Sequence, residues 1–208
     1  MKTIYTMLLS VALFFSGATL AEVTHPQQLL EQVTGQVLAA LRELNHEDSG
    51  RAGLVSEKIQ QLILPHMDFR AMSKKVLGKH WRNASEDQRT AFVQQFKRLL
   101  IRTYETSLSK YREEKVRFLP FRAGKRPDKL AVVKSEIIRS NGPTIPINYS
   151  LLKRLDADWK VYDIGIEGIS LVTNYRSSFS REIERKGIDA LIQSLSERNQ
   201  ASVRAESS

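Results

Sequence analysis

The sequence predicts an α+β fold: N-terminal helices, then a four-stranded antiparallel meander, then C-terminal helices. Three observations predict it. Apolar residues recur at three- and four-residue steps through the first half. Between Lys115 and Ile166 the composition turns to Val, Ile, Phe, Tyr and Trp. Within that stretch Ile145, Ile147, Tyr149 and Leu151 alternate with Pro146, Asn148 and Ser150, the period of a strand.

The helices follow in order. Leu30, Val33, Val37, Leu41 and Leu44 form one stripe between Gln28 and Leu44, interrupted after it by Asp48-Ser49-Gly50. Leu54, Val55, Ile59, Leu62 and Ile63 form a second, ended by Pro65. Asp68 is a good N-cap for a short helix carrying Phe69, Met72, Val76 and Leu77, closed by Gly78. Ser85-Glu86-Asp87-Gln88 is a capping box opening the longest helix, to about Lys110. Its stripe is Phe92, Phe96, Leu99, Leu100, Tyr104, Leu108 and Tyr111.

Four strands are expected at Lys115–Phe121, Lys129–Arg139, Thr144–Leu155 and Trp159–Ile166. The connections between them are short, so neighbouring strands run antiparallel. Val172, Tyr175, Phe179 and Ile183 then share a helical face up to Gly187. Ile188, Leu191, Ile192 and Leu195 mark a short last helix, with a polar, frayed tail expected from Asn199. The helical part thus covers about 22–111, the sheet about 115–166 and the C-terminal helices about 168–198, in one domain spanning 22–208. A twisted antiparallel sheet has one face to cover. Helices laid across it would make a cone with an apolar cavity at its mouth.

The first residues read as an export signal. A basic start, Met1-Lys2-Thr3, precedes the apolar run Ile4 to Phe15 and the small residues Ser16 to Ala21. Cleavage after Ala18 or Ala21 both fit, and residues 1–21 are the preferred signal peptide. No Cys follows, so this is not a lipoprotein signal, and no stable membrane anchor is expected. The remaining chain, roughly 187 residues, is ample for a continuous core. No later segment is long and apolar enough to span a bilayer. With no cysteine anywhere, the fold rests on packing alone.

Net charge is +9, and about +8 once Lys2 leaves with the signal. Such a balance favours anionic partners. Export argues against nucleic acid and leaves anionic headgroups or acidic protein surfaces.

Catalytic patterns are missing. Gly168-Ile169-Ser170-Leu171-Val172 lacks the second Gly of a nucleophile elbow. No phosphate-binding Gly-rich loop occurs. His25, His46, His66 and His80 are scattered, without metal-ligand spacing, so no metal is expected. Asp163, inside the strand Trp159 to Asp163, could serve as a general base within an apolar cone. The simpler reading is a salt bridge or hydrogen bond from the sheet to the next helix, with Arg176 as a partner.

Two segments are more specific than any periodicity. One runs from Asp68-Phe69-Arg70-Ala71-Met72 through Gly78-Lys79-His80-Trp81 to Gln88-Arg89-Thr90-Ala91-Phe92, with Phe96, Leu99, Leu100 and Tyr104 beyond. The other runs from Trp159-Lys160-Val161-Tyr162-Asp163 through Gly165-Ile166-Glu167-Gly168 to Asn174-Tyr175-Arg176-Ser177 and Phe179. Together they closely resemble the MlaC family, also described as the toluene-tolerance or auxiliary ABC-transport family. The resemblance covers nearly the whole mature chain, in the same order.

The resemblance implies a periplasmic phospholipid carrier without enzymatic activity or cofactor, its cargo being the phospholipid itself. It implies shuttling between an outer-membrane lipoprotein–porin complex and an inner-membrane ABC transporter with an MCE-domain subunit, maintaining outer-membrane lipid asymmetry. The expected cavity walls are Phe69, Met72, Phe92, Phe96, Tyr104, Val133, Ile147, Tyr149, Leu151, Val161, Ile164, Val172, Tyr175 and Phe179. Arg70, Lys74 and Arg176 are candidates for the headgroup at the rim. Two other readings stay open: a cone-fold enzyme using Asp163, and a ligand-free periplasmic adaptor docking through its basic surface.

Overall fold

Pro26 occupies the first position of helix α1 (Pro26–Glu43), where a missing backbone N–H costs nothing. α2 (Ala52–Ile63) follows and tightens into a 3-10 turn at Leu64–His66, with Pro65 preventing the helix from continuing. The computed structural model describes residues 25–43, 52–108, 115–139, 142–155 and 158–206. The expected signal peptide, Leu44, the Asp48-Ser49-Gly50 interruption and Tyr111 fall outside them.

The capping expectations hold. Asp68 accepts from the Ala71 N–H at 2.8 Å and opens α3 (Phe69–Leu77). The Asp68 N–H donates to the Val161 carbonyl, and Met67 bridges to Val161, so the start of α3 is fastened to the sheet. Gly78 ends α3 at φ 54° and leads into a short helix, α4 (Lys79–Asn83), that places Trp81 in the core. Ser85 and Gln88 exchange the two hydrogen bonds of a capping box, at 3.0 and 3.1 Å. They start α5 (Glu86–Leu108).

The sheet has five strands, not the four expected. Their order is β1 (Lys115–Phe118), β2 (Leu130–Ile138), β3 (Ile145–Lys153), β4 (Trp159–Ile166) and β5 (Ile169–Ser170), each antiparallel to the next. The additional strand arises from Glu167 and Gly168, both with positive φ, which make a two-residue hairpin. It pairs Ile166 with Ile169 and Gly165 with Ser170. The following helix, α6 (Leu171–Lys186), therefore starts after the hairpin, with Ser170 as its N-cap.

The last helix is a second correction. α7 runs Ile188–Glu206, straight through the expected frayed tail. Asn199 is buried, and its Nδ2 donates to the Gln95 carbonyl at 3.1 Å and to Gln95 Oε1 at 2.9 Å. Arg102 donates to the Asn199 carbonyl. An asparagine that reads as a polar tail is thus the polar tie between α7 and α5.

The described apolar core divides into three clusters. A helical core joins Met72, Val76, Leu77, Trp81, Phe92, Phe96, Leu100, Val172, Phe179, Leu191 and Leu195 of α3 to α7. A sheet cluster joins Ala131, Val133, Leu151, Trp159 and Val161 to Leu30 of α1. A third pairs Val33, Val37 and Leu41 of α1 with Ile59 of α2.

Candidate lipid-binding face

The pairing of β2, β3 and β4 sets the face of the sheet that could meet a ligand. Ala131, Leu151 and Val161 stand abreast, and so do Val133, Tyr149 and Ile164. Ser135, Ile147 and Ile166 make the next row. Side chains alternate along a strand, so these rows share one face. It carries no charge across all three rows. Phe118 of β1, opposite Ser135, extends it and lies over Tyr149 with ring centroids 6.5 Å apart.

An irregularity in β4 divides its side chains between two layers. Ser150 pairs with Asp163 and Leu151 with Val161, so Tyr162 is the extra residue of a bulge. Val161 and Ile164 remain with the sheet cluster, whereas Tyr162 packs against the helical core. The Lys75 ammonium lies 4.6 Å from its ring centroid. Met67 touches both clusters and marks the seam between them.

The polar groups on this face are sparse. Ser135, fully buried, donates weakly to the Tyr149 hydroxyl at 3.4 Å. Burial pushes the Tyr149 hydroxyl above its usual range, partly offset by that hydrogen bond. Tyr149 therefore stays neutral and presents an uncharged surface.

The candidate wall residues fall into two groups. Val133, Tyr149, Leu151, Val161 and Ile164 come together in the sheet cluster, and Ile147 is buried one row along. Phe69, Met72, Phe92, Phe96, Val172, Tyr175 and Phe179 come together in the helical core. There Phe92 and Phe96 stack at 5.6 Å and both meet the Phe179 ring edge-on. Tyr104 lies on α5, its side chain outside those described. Sequence reasoning missed Phe118, Phe121, Met67, Leu29 and Leu30, which join the sheet cluster. The alternation of Phe118 with Arg117 carries the signal for the first of these.

The rim candidates have different surroundings. Arg70 pairs with Glu86 at 2.9 Å and stacks 5.3 Å from the Trp81 ring centroid. Lys74 is exposed on α3. The Arg176 guanidinium lies against the backbone of Gly78.

Asp163 does meet the following helix, but not through Arg176. Its Oδ2 accepts from Ser170 Oγ at 2.6 Å and its Oδ1 from the Val172 N–H at 3.1 Å. A carboxylate bound at a helix N-terminus satisfies otherwise unpartnered N–H groups, which is a structural duty. Among the described residues no group of three His, Cys, Asp or Glu side chains could hold a metal, and no helix is long and apolar enough to cross a membrane.

Comparison with known proteins agrees with this architecture. The sequence profile of the MlaC protein family matches residues 31–197. A toluene tolerance protein, ttg2D, of Pseudomonas putida is 26% identical over 79% of this chain and 75% of its own. The intermembrane phospholipid transport system binding protein MlaC of Haemophilus influenzae is 23% identical over 91% of this chain and 88% of its own. A phospholipid-binding protein of Ralstonia solanacearum, solved in complex with a phospholipid, superposes with a TM-score of 0.75. It is 32% identical, across 86% of this chain and 98% of that one.

Proposed function

The chain belongs to the MlaC family, and from that premise we propose that it is a periplasmic phospholipid carrier that holds its cargo by the acyl tails. It is exported by cleavage near Ala21. It moves lipid between the inner and outer membranes and so maintains outer-membrane lipid asymmetry. Its partners are an outer-membrane lipoprotein–porin complex and an inner-membrane ABC transporter with an MCE-domain subunit. The names of the Haemophilus and Ralstonia relatives support the cargo, and the first supports the intermembrane role.

The observation that carries the reading is the uncharged face of Phe118, Val133, Tyr149, Leu151, Val161 and Ile164. Two acyl tails carry roughly thirty methylenes. At about 0.8 kcal/mol each, exposing them to water costs on the order of 25 kcal/mol. Free diffusion across an aqueous gap is negligible against that barrier. A protein that offers hydrocarbon-like walls removes most of it.

We place the tails along this face, at the seam that Met67 marks between the sheet cluster and the helical core. The headgroup stays outside, near α3 and α6, within reach of Lys74 and Arg176. Tail burial needs no discrimination between headgroups.

The test is direct. The chain is purified without detergent, extracted with organic solvent and its lipids identified by mass spectrometry. Diacyl phospholipid in near-stoichiometric amount is the expected result. A folded, monodisperse preparation that yields no lipid, and takes none up from vesicles, refutes the proposal.

A further inference from the structure

One end of the sheet carries a charge arrangement that the cargo reading does not use. The connection from β1 to β2 contains Arg122, Lys125, Arg126 and Lys129, all exposed. None of the four side chains makes an ion pair among the described residues. The loop is nevertheless anchored at both ends. Phe121 packs on the sheet cluster and meets the His25 ring edge-on at 4.6 Å. At the other end the Leu130 and Lys129 N–H groups both donate to the Arg126 carbonyl, at 2.8 and 3.1 Å.

The turn between β3 and β4 stands beside this loop. The Lys153 N–H donates to the Lys129 carbonyl at 3.0 Å, and Leu130 pairs with Leu152. Leu155 lies just beyond, in that turn, at 110% relative exposure. Among the described residues two acids are nearby, and Asp156 follows Leu155 in the sequence. Asp158 lies 3.4 Å from Lys160, and Asp128 sits within the loop. The loop keeps a clear cationic excess.

We propose that this end of the sheet, the loop 122–129 with Leu155, docks the protein on the surface of an anionic phospholipid bilayer. Four unpaired cations on an anchored loop are complementary to a sheet of phosphate groups. A fully exposed leucine at the same end can enter the boundary between headgroups and acyl chains, as interfacial anchors do. An acidic protein partner would use the cations but gives the leucine no such role. The proposal does not depend on bound cargo, because it concerns the outer surface alone.

Sedimentation with vesicles tests it. The purified chain is mixed with vesicles of phosphatidylethanolamine and phosphatidylglycerol, or of phosphatidylcholine alone. The expected result is binding to the anionic vesicles only, released when salt is raised from roughly 0.1 M to roughly 0.5 M. Each cation near such a surface is worth roughly a fivefold change in partitioning. The combined Arg122→Gln, Lys125→Gln, Arg126→Gln and Lys129→Gln variant should therefore bind at least about a hundredfold more weakly. Leu155→Ser should weaken binding several-fold without altering its salt dependence. A control variant, Arg181→Gln with Arg185→Gln and Lys186→Gln on the exposed part of α6, should bind within about twofold of the parent. The proposal is overturned if the parent ignores anionic vesicles, binds neutral ones equally, or loses as much binding in the control. Unchanged vesicle binding in the loop variant, with loss of binding only to an acidic protein, overturns it as well.

Discussion

Asp163 and Ser170 are joined across the β4–β5 hairpin by a 2.6 Å hydrogen bond from the serine hydroxyl to the carboxylate. The same hydroxyl accepts from the Thr173 N–H and so caps α6. Asp163 thus holds the capping residue in place and binds the Val172 N–H itself. Asp163→Ala should destabilise the fold by about 1–3 kcal/mol, because it strands donors that are half-buried. Asp163→Asn, which keeps one acceptor, should cost about 1 kcal/mol. Bound phospholipid, measured by extraction, should stay at parental stoichiometry in Asp163→Asn. Lipid loss without unfolding would show that this carboxylate takes part in binding.

Local signals carried most of the fold. Asp68, Ser85 and Gly187 act through neighbours one to four residues away, so their caps are legible in the chain itself. The hairpin at Glu167-Gly168 is not legible in the chain, because a glutamate gives no local sign of the positive φ that goes with the β4–β5 pairing. Asn199 reads as part of a polar tail for a related reason. Its partners Gln95 and Arg102 are about a hundred residues away, and sequence spacing carries no trace of them. The candidate walls show the same division. Period two identified Ile147, Tyr149 and Leu151 on one face, but helical periodicity gave Phe92 and Phe96 no label separating core from ligand wall. They pack into the helical core, closed by Leu191 and Leu195 of α7.

Asn199 tests that reading of α7. Asn199→Ala removes both hydrogen bonds to Gln95 and leaves its part-buried carbonyl with one partner fewer. The expected loss is about 1–3 kcal/mol in urea unfolding. If α7 were frayed there, the substitution would change stability by less than about 0.5 kcal/mol, as exposed sites do.

Gly78 and Arg176 are coupled sterically. A β-carbon at Gly78 would lie 2.9 Å from two guanidinium nitrogens of Arg176, on a backbone with φ 54°. Gly78→Ala therefore meets two obstacles. The backbone conformation, with ψ −117°, lies outside the left-handed helical region and costs an L-residue about 1–3 kcal/mol, and the arginine must also move. Repeating Gly78→Ala on an Arg176→Ala background should recover only the steric part. A double-mutant cycle in chemical denaturation separates the two. Full recovery would show that backbone strain contributes nothing.

His66 gives the stability a pH dependence of defined sign. Burial lowers its pKa from the ordinary value of 6.5, the Lys160 charge lowers it further, and Asp158 partly opposes both. The unfolded chain therefore binds the proton more readily than the native one. Stability from this group is present above 6.5 and is lost as pH falls through the depressed native value. The urea midpoint of the parent should drop between about pH 7.5 and pH 5.5 by more than that of His66→Gln. Parallel pH profiles for the two proteins would rule the effect out.

Ile164 offers the sharpest separation of cargo binding from folding. It stands opposite Tyr149 on the uncharged face but is only partly buried, whereas Leu151 is fully buried in the same cluster. Leu151→Ala should cost about 2–5 kcal/mol, because a cavity opens in packed core. A charge at Leu151 would threaten the fold itself. Ile164→Lys is different: its long stem can lie along the apolar surface while the ammonium reaches toward water. That variant should fold with a far-ultraviolet circular dichroism spectrum like the parent's. The acyl tails would then have to share their wall with a cation, so co-purifying phospholipid should fall at least about tenfold, which corresponds to about 1.4 kcal/mol of lost affinity. A folded Ile164→Lys protein that still carries its full complement of phospholipid would remove this face from the binding site and send the search to the helical core.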